Sequence, residues 1–283
     1  MNLQKQHKIE FSLEFFPPKT EQGKIKLRQA REELAKLDPS YISVTFGAGG
    51  STQQGTYDTI KEIKESGIEA APHISCIGQV KQQIKDQLNR YRELGITRIV
   101  ALRGDIPSGM GLGTAGDFQH ANELVEFIRK ETGDYFHISV AAYPEFHPQA
   151  KSVKDDLLNF KRKVMAGANE AITQYFYNPD AYYRFVDDCE KMQLSLPIIA
   201  GVMPITNHTQ LLRFSDSCGA EIPRWIRKRL VDFADDEKSI LAFGLDITSA
   251  MCFQLLEKGC PGVHVYCLNR SNPTVELLGR LVC

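Results

Sequence analysis

The residues of this chain able to do chemistry are concentrated at a few points. The first is Glu14, in the stretch "EFSLEFFPPKT" at 10–20, set between Leu13 and Phe15-Phe16 just before Pro17-Pro18 end the run. A carboxylate in apolar surroundings is costly unless it is paired or protonated. Two readings stand. In one, Glu10, Ser12 and Glu14 alternate onto the wet face of an edge strand. In the other, Glu14 is a carboxylic acid kept protonated by low-dielectric walls, Phe15 and Phe16 among them, so that it can deliver a proton. Further polar residues follow: Thr45, His73, "RGD" (Arg103, Gly104, Asp105), "YPEFHP" (Tyr143, Glu145, His147), Gln174, "PITN" (Thr206, Asn207) and "NR" (Asn269, Arg270). Any one of them makes a helix cap or a turn as readily as a site. Their shared position, each at the end of a short apolar run, is the informative feature.

Those runs are the elements that must position the polar residues. They lie at 9–15, 41–46, 69–75, 97–104, 136–144, 170–176, 196–202 and 262–268, each followed by an amphipathic helical pattern. The first four start roughly 30 residues apart, the size of one βα unit. The helix at 20–39 starts on a Thr cap and stops before Pro39, and the one around 153–167 carries acids early and bases late. The longer interval before the last strand holds extra helices near 207–217, 223–233 and 236–258. Eight strand–helix alternations without a linker or low-complexity tract imply one α/β domain over residues 1–283. The expected fold is a (β/α)8 TIM barrel with extra helices before the last strand; the runner-up is an open doubly wound sheet. In a barrel the polar strand ends converge on one mouth, where ligands bind.

Composition excludes several classes. With a net charge of -1 and a pI near 6.7, the chain lacks the basic excess of a nucleic-acid binder. No membrane-length apolar run and no secretory signal is read. The seven cysteines form no CxxC pair or metal spacing, and scattered cysteines suit a reducing, cytoplasmic location. His73 and His147 lack an accompanying HxH, HxxxH or Cys/His cluster, so no metal is expected. "GLGTAG" at 111–116 matches GxGxxG, but "DIPSGM" separates it from its strand. A dinucleotide fingerprint closes its strand directly, so this segment reads as a loop. "GAGGS" at 47–51 is either a turn or a backbone approach to a ligand. The residues alone reach an α/β-barrel enzyme, not its substrate.

Taken together, "SLEFFPPKT", "SVTFGAGGST", "APHISCIG", "ALRGDIP", "ISVAAYPEFHP", "DLLNFKRKVMAGANEAITQYFYN", "GVMPITN" and "VHVYCLNR" resemble the bacterial methylenetetrahydrofolate reductases, in order, from about residue 8 to residue 272. The resemblance implies an FAD-dependent barrel oxidoreductase that takes hydride from NADH or NADPH, NADH being preferred. It reduces 5,10-methylenetetrahydrofolate to 5-methyltetrahydrofolate in a ping-pong cycle, supplying methyl groups for methionine synthesis. Glu14 then matches the general acid, and Asp105 the catalytic aspartate near flavin and pterin. FAD contacts fall on Thr45, Phe46, His73, Arg103, Gly104, Asp105, His120, Ala121, Tyr143, His147, Ala150, Asp156, Asn159, Arg162 and Lys163. Substrate contacts fall on Asp105, Gln174, Gln210, Phe214 and Arg270. Phe46 and His120 stand where some relatives are expected to carry tyrosine. The chain stops about 10 residues after the last motif, so the C-terminal regulatory domain of eukaryotic relatives is not expected; a homo-oligomer is. The alternatives are a flavin-free folate- or pterin-binding methyltransferase barrel and a non-catalytic folate-binding paralogue.

Overall fold

The structure, a computed structural model, describes residues 4–6, 10–46, 53–104 and 116–282. Eight parallel strands close a barrel in sequence order: β1 (Glu10–Phe15), β2 (Tyr41–Val44), β3 (Ala70–Ser75), β4 (Arg98–Leu102), β5 (His137–Ala142), β6 (Glu170–Thr173), β7 (Ile198–Val202) and β8 (Gly262–Tyr266). Six crossover helices connect the first seven strands: α1 (Glu21–Ala35), α2 (Gln53–Glu65), α3 (Lys81–Glu93), α4 (Ala121–Thr132), α5 (Val153–Met165) and α6 (Pro179–Lys191). Between β7 and β8 run α7 (His208–Cys218), α8 (Arg224–Asp232) and α9 (Glu237–Glu257), and α10 (Asn272–Val282) closes the layer. This is the expected (β/α)8 barrel with its extra helices.

Local chemistry sets the helix starts. Thr20, Ser152, Asn178, Asn207 and Asp236 each cap a helix by accepting a backbone N–H two or three residues on. The outward residues of the strands, such as Leu13, Phe15, Ile42, Val44, Ile99, Ile138, Val140, Ile198, Val263 and Val265, are buried against the helices in the main core. A second apolar cluster sits at the β6 and β7 exits, where Tyr175, Tyr177, Met203 and Ile205 pack on Leu211, Ile226, Leu230 and Ile240. The extra helices thus build one wall of the mouth.

α9 corrects the sequence reading that no membrane-length apolar run exists. By length and composition it is long and apolar enough to cross a bilayer. Its Ile240, Leu245, Met251, Cys252 and Leu255 are nevertheless buried within the protein, and it packs on α6 and α10. An apolar core helix meets the same criteria as a span.

The barrel interior is unusually polar. At the N-terminal end, Glu170 on β6 is almost fully buried and accepts hydrogen bonds from Arg98 (3.2 and 3.3 Å), Tyr41 Oη (3.1 Å) and Ser139 Oγ (2.7 Å), with His137 Nε2 at 3.7 Å. Burial by itself would raise its carboxyl. His137, Arg98 and Ser139 outweigh that and hold it down at about 2. A depressed carboxyl contributes stability that is present above its ordinary value of 4.5 and is lost as pH falls toward 2. Replacing Glu170 by Gln leaves the Arg98 guanidinium without this counter-charge and should cost about 3 kcal/mol. A urea-unfolding midpoint lowered at unchanged m-value is the expected result, and an unshifted midpoint would refute this role.

Candidate active site

Strand register decides which side chains enter the barrel. Ser12 lies opposite Tyr41 of β2 and His264 of β8, and Glu14 opposite Ser43 and Tyr266. Because faces alternate along a strand, Ser12 and Glu14 face inward while Leu13 and Phe15 face the helix layer. The Glu14 side chain is 18% exposed, at the floor of the mouth. Its Oε2 lies 3.3 Å from His73 Nε2 and 3.6 Å from His264 Nε2, so two imidazoles face one carboxyl oxygen.

His264 is fully buried. Its Nδ1 shares a 2.7 Å hydrogen bond with Ser12 Oγ, and Nε2 lies 3.4 Å from Ser43 Oγ. Its ring stacks on Tyr41 and meets Tyr266 edge-on. Tyr266 in turn donates to the Thr173 carbonyl (2.7 Å) by crossing Gly201, where a Cβ would come within 2.9 Å of the tyrosine ring and 1.9 Å of that carbonyl oxygen. Only glycine permits this crossing.

The expected walls around Glu14 need correction. Phe15 is buried in the outer core and Phe16 is 41% exposed. The groups actually beside the carboxyl are His73, His264, Ser43 and Tyr266, a polar setting. The strand exit is fixed differently: Asn269 accepts from Phe16 N (2.9 Å) and donates to Phe16 O (2.8 Å), with Leu268 and Asn269 both at positive φ. Cys267 Sγ donates to the Glu14 carbonyl (2.9 Å). The β1 and β8 exits are thereby laced together beside the acid.

The residues assigned to a cofactor line the exits of β2 to β5 and the start of α5. Thr45 Oγ1 and His73 Nε2 are buried without a hydrogen-bond partner; the His73–Glu14 approach is close but not aligned for one. Arg103 donates to Gln149, Gln149 N donates to His147 Nδ1 (3.0 Å), and His147 N donates to Asp156 (2.9 Å). Tyr143 meets His147 edge-on at 4.4 Å, and Ala150 N closes a turn onto His147 O. This one network gathers Arg103, Tyr143, His147, Ala150 and Asp156, together with Gln149, which the sequence reading missed.

Gly104 has φ +85, and a Cβ there would meet Ser75 Oγ at 1.9 Å. A larger residue is therefore excluded on both counts. On α5, Asn159 accepts from the exposed Arg162 (2.6 Å), whereas Lys163 turns inward to the Ala141 carbonyl. Burial lowers its amine to about 8, partly opposed by Asp156. His120 precedes α4, with its N–H directed to Glu123, and Ala121 is the first residue of that helix. Phe46 is half-buried after β2.

Of the residues assigned to substrate, Gln210 and Arg270 line one open cavity with Thr206, Asn207 and Arg213. Phe214 packs on the second apolar cluster, and the Gln174 side-chain oxygen accepts from Tyr175 N (3.0 Å). Asp105, and the "GAGGS" and "GLGTAG" loops apart from Gly116, lie outside the described residues. Among the described residues, no group of three or more His, Cys, Asp or Glu side chains is arranged to hold a metal.

A family model described as "Methylenetetrahydrofolate reductase" matches residues 1–282. The chain belongs to the methylenetetrahydrofolate reductase family. It is 41% identical to the 5,10-methylenetetrahydrofolate reductase of Escherichia coli (strain K12) over 267 residues, covering 94% of this chain and 88% of that protein. It is 36% identical to a probable methylenetetrahydrofolate reductase (NADH) of Oryza sativa subsp. japonica, covering 96% of this chain and 48% of the plant protein. Among solved structures, a Clostridium thermocellum protein described as binding two copies of 5-methyl-5,6,7,8-tetrahydrofolic acid superposes with a TM-score of 0.69 at 18% identity, covering 99% of this chain and 95% of that one. An aldo-keto reductase, Tm1743, gives 0.54 at 13% identity, covering 96% and 89%. At such identities the shared property is the barrel.

Burial holds the His73 imidazole well below its ordinary 6.5, at about 4. Glu14 pulls it up and His264 pushes it down, but burial dominates. A histidine kept neutral in the fold is protonated first in the unfolded chain, so stability is complete above 6.5 and is lost as pH falls toward 4. Between pH 7 and pH 5 this one group should remove about 2 kcal/mol. Urea titrations at the two pH values should show that loss, and His73→Gln should flatten it. A variant that keeps the full slope would contradict the assignment.

Proposed function

We propose that the protein reduces 5,10-methylenetetrahydrofolate to 5-methyltetrahydrofolate with FAD as cofactor and NADH, in preference to NADPH, as reductant. Membership of the reductase family supports the reaction, and the observation that carries the mechanism is Glu14, an acid facing the barrel mouth with two imidazoles behind it. When bound, FAD supplies the two-electron carrier that takes hydride from the nicotinamide and yields it to the folate, chemistry that no side chain performs. The exits of β2 to β5 suit such a group. Two buried polar atoms there, Thr45 Oγ1 and His73 Nε2, lack hydrogen-bond partners, and the Lys163 amine lies close under β5. Thr45, Phe46, His73, Arg103, Gly104, Tyr143, His147, Asp156, Arg162 and Lys163 would hold it, with Asp105, His120, Ala121, Ala150 and Asn159 completing the set.

The chain's own chemistry is proton delivery. Glu14 gives its proton to N10 of the folate imidazolidine ring. The bond from N10 to the bridging methylene breaks, its electron pair stays on N10, and the methylene is left as an N5 iminium. Hydride addition there completes the methyl group. The carboxylate left on Glu14 recovers a proton from solvent through its exposed edge, so the sum consumes one hydride and one proton. Gln174, Gln210, Phe214 and Arg270 orient the folate, Arg270 through a substrate carboxylate, and Asp105 favours the cationic iminium. Nicotinamide and folate use the mouth in turn, which makes the cycle ping-pong. The same reading makes the chain a single-domain cytoplasmic enzyme that works as a homo-oligomer and supplies methyl groups for methionine synthesis.

The purified protein should be yellow and bleach on anaerobic addition of NADH; a protein that binds no flavin would favour a flavin-free methyltransferase. In Glu14→Gln, NADH should still reduce the flavin at near the wild-type rate, while folate reduction falls by at least about 100-fold, the lower range for a positioned acid. Equal loss in both half-reactions would remove Glu14 from the acid role.

A further inference from the structure

Glu145 stands at the exit of β5, midway between Tyr143 and His147, and neither the cofactor set nor the substrate set uses it. A carboxyl is costly at this place. Its Oε1 is buried without a hydrogen-bond partner. Burial pushes the group above its ordinary value of 4.5, as does the Glu221 side chain, while the Glu221 N–H and Arg184 oppose them. An apolar side chain of similar reach would avoid that cost. What the carboxyl gains is one bond: Oε2 accepts from Glu221 N at 2.7 Å, across 76 residues of sequence. Glu221 lies in the connection from α7 to α8, two residues past Gly219, the C-cap of α7. Pro148, from the same β5 exit, packs there too: a Cβ on Gly219 would come within 2.6 Å of its Cγ.

Helix α7 is thus docked from two sides. On the β6 side, Tyr175 Oη meets Ser215 Oγ at 3.1 Å and accepts from Cys218 Sγ at 3.3 Å. On the β5 side, Glu145 and Pro148 hold the end of the helix. Gln210 and Phe214 lie four residues apart on α7, so they share a face and move with it. The β5 exit in turn carries Tyr143 and His147, and His147 is bonded to Gln149 and Asp156. We propose that Glu145 is a positioning residue: its hydrogen bond to Glu221 N fixes the end of α7 against the cofactor-side exit of β5, and so sets where Gln210 and Phe214 meet the folate relative to the residues that hold the flavin. This assignment deepens the reading of Gln210 and Phe214 as folate contacts and rests on it. The bond needs an acceptor oxygen at this place, not a charge.

The test is made on the flavin-loaded full chain. Glu145→Ala should raise the KM for 5,10-methylenetetrahydrofolate about tenfold, the worth of one buried hydrogen bond, with kcat and flavin content unchanged. Glu145→Gln keeps an amide oxygen in the same place and should restore the wild-type KM. Amide hydrogen exchange reads the bond apart from turnover: the Glu221 N–H should be protected in wild type and in Glu145→Gln, and should exchange freely in Glu145→Ala. Should Glu145→Ala fail to fold, Glu145→Leu fills the same space without an acceptor and should show the same rise in KM. An unmoved KM in the variant that lacks the acceptor, a Glu145→Gln that does not restore it, or flavin lost in step with folate affinity would overturn the proposal. A wild-type protein that binds flavin yet reduces no folate would remove the folate reading and this proposal with it, whereas active wild type with an indifferent Glu145→Ala removes the positioning role alone.

Discussion

The mouth depends on the register in which β1 closes the barrel between β2 and β8. Ser12 against His264 and Glu14 against Tyr266 put an acid and its supports inside, and leave Leu13 and Phe15 to pack on the helices. A slip of one residue would exchange the two faces, burying phenylalanine in the mouth and carboxylates in the helix layer. The apolar outer set is therefore what fixes the position of the polar inner set. The bonds between Asn269 and Phe16 hold the same closure one turn further out.

A barrel interior is ordinarily filled by layers of branched apolar side chains. Here that layer is reduced to a small cluster of Ala71, Val100 and Ile172 beside Tyr41. Much of the remainder is hydrogen-bonding: Ser12, Ser43, His73, Ser139, Glu170 and His264. Polar groups so deeply buried are tolerated only when paired. At the N-terminal end the Glu170 carboxylate itself is paired, while Glu10 Oε2 and His137 Nε2 beside it have no hydrogen-bond partner. At the mouth Thr45 Oγ1 and His73 Nε2 likewise lack hydrogen-bond partners.

The fold was legible because its signals are local and repeated: eight apolar runs, each with a capped helix behind it. The acid was legible because Glu14 is conspicuous among Leu13, Phe15 and Phe16. Its surroundings were not. Ser12 and His264 sit in mid-strand, within "FSLEF" and "VHVYC", and nothing local distinguishes an inward serine from an outward one until the register across the closure is known. A histidine two residues before the strand end, in register with the strand that carries the acid, is the signal that was available. Placing Phe15 and Phe16 as walls of the acid applied burial without alternation, and Phe15 faces the other way. Gln149 escaped notice because its role is to join Arg103 to His147, a contact between loops that no spacing encodes. Asp105 lies outside the described residues, so its role rests on the resemblance alone.

The proposed reaction turns on one group: for Glu14 to give a proton to the folate from the floor of the mouth, it must be a carboxylic acid while a reduced folate is bound. Infrared difference spectroscopy on protein labelled with carbon-13 glutamate, at neutral pH with a reduced folate bound, observes that proton directly. The account predicts a label-sensitive band of a protonated carboxyl that vanishes in Glu14→Gln. A spectrum in which the glutamate signal attributable to Glu14 is only that of a carboxylate would contradict it.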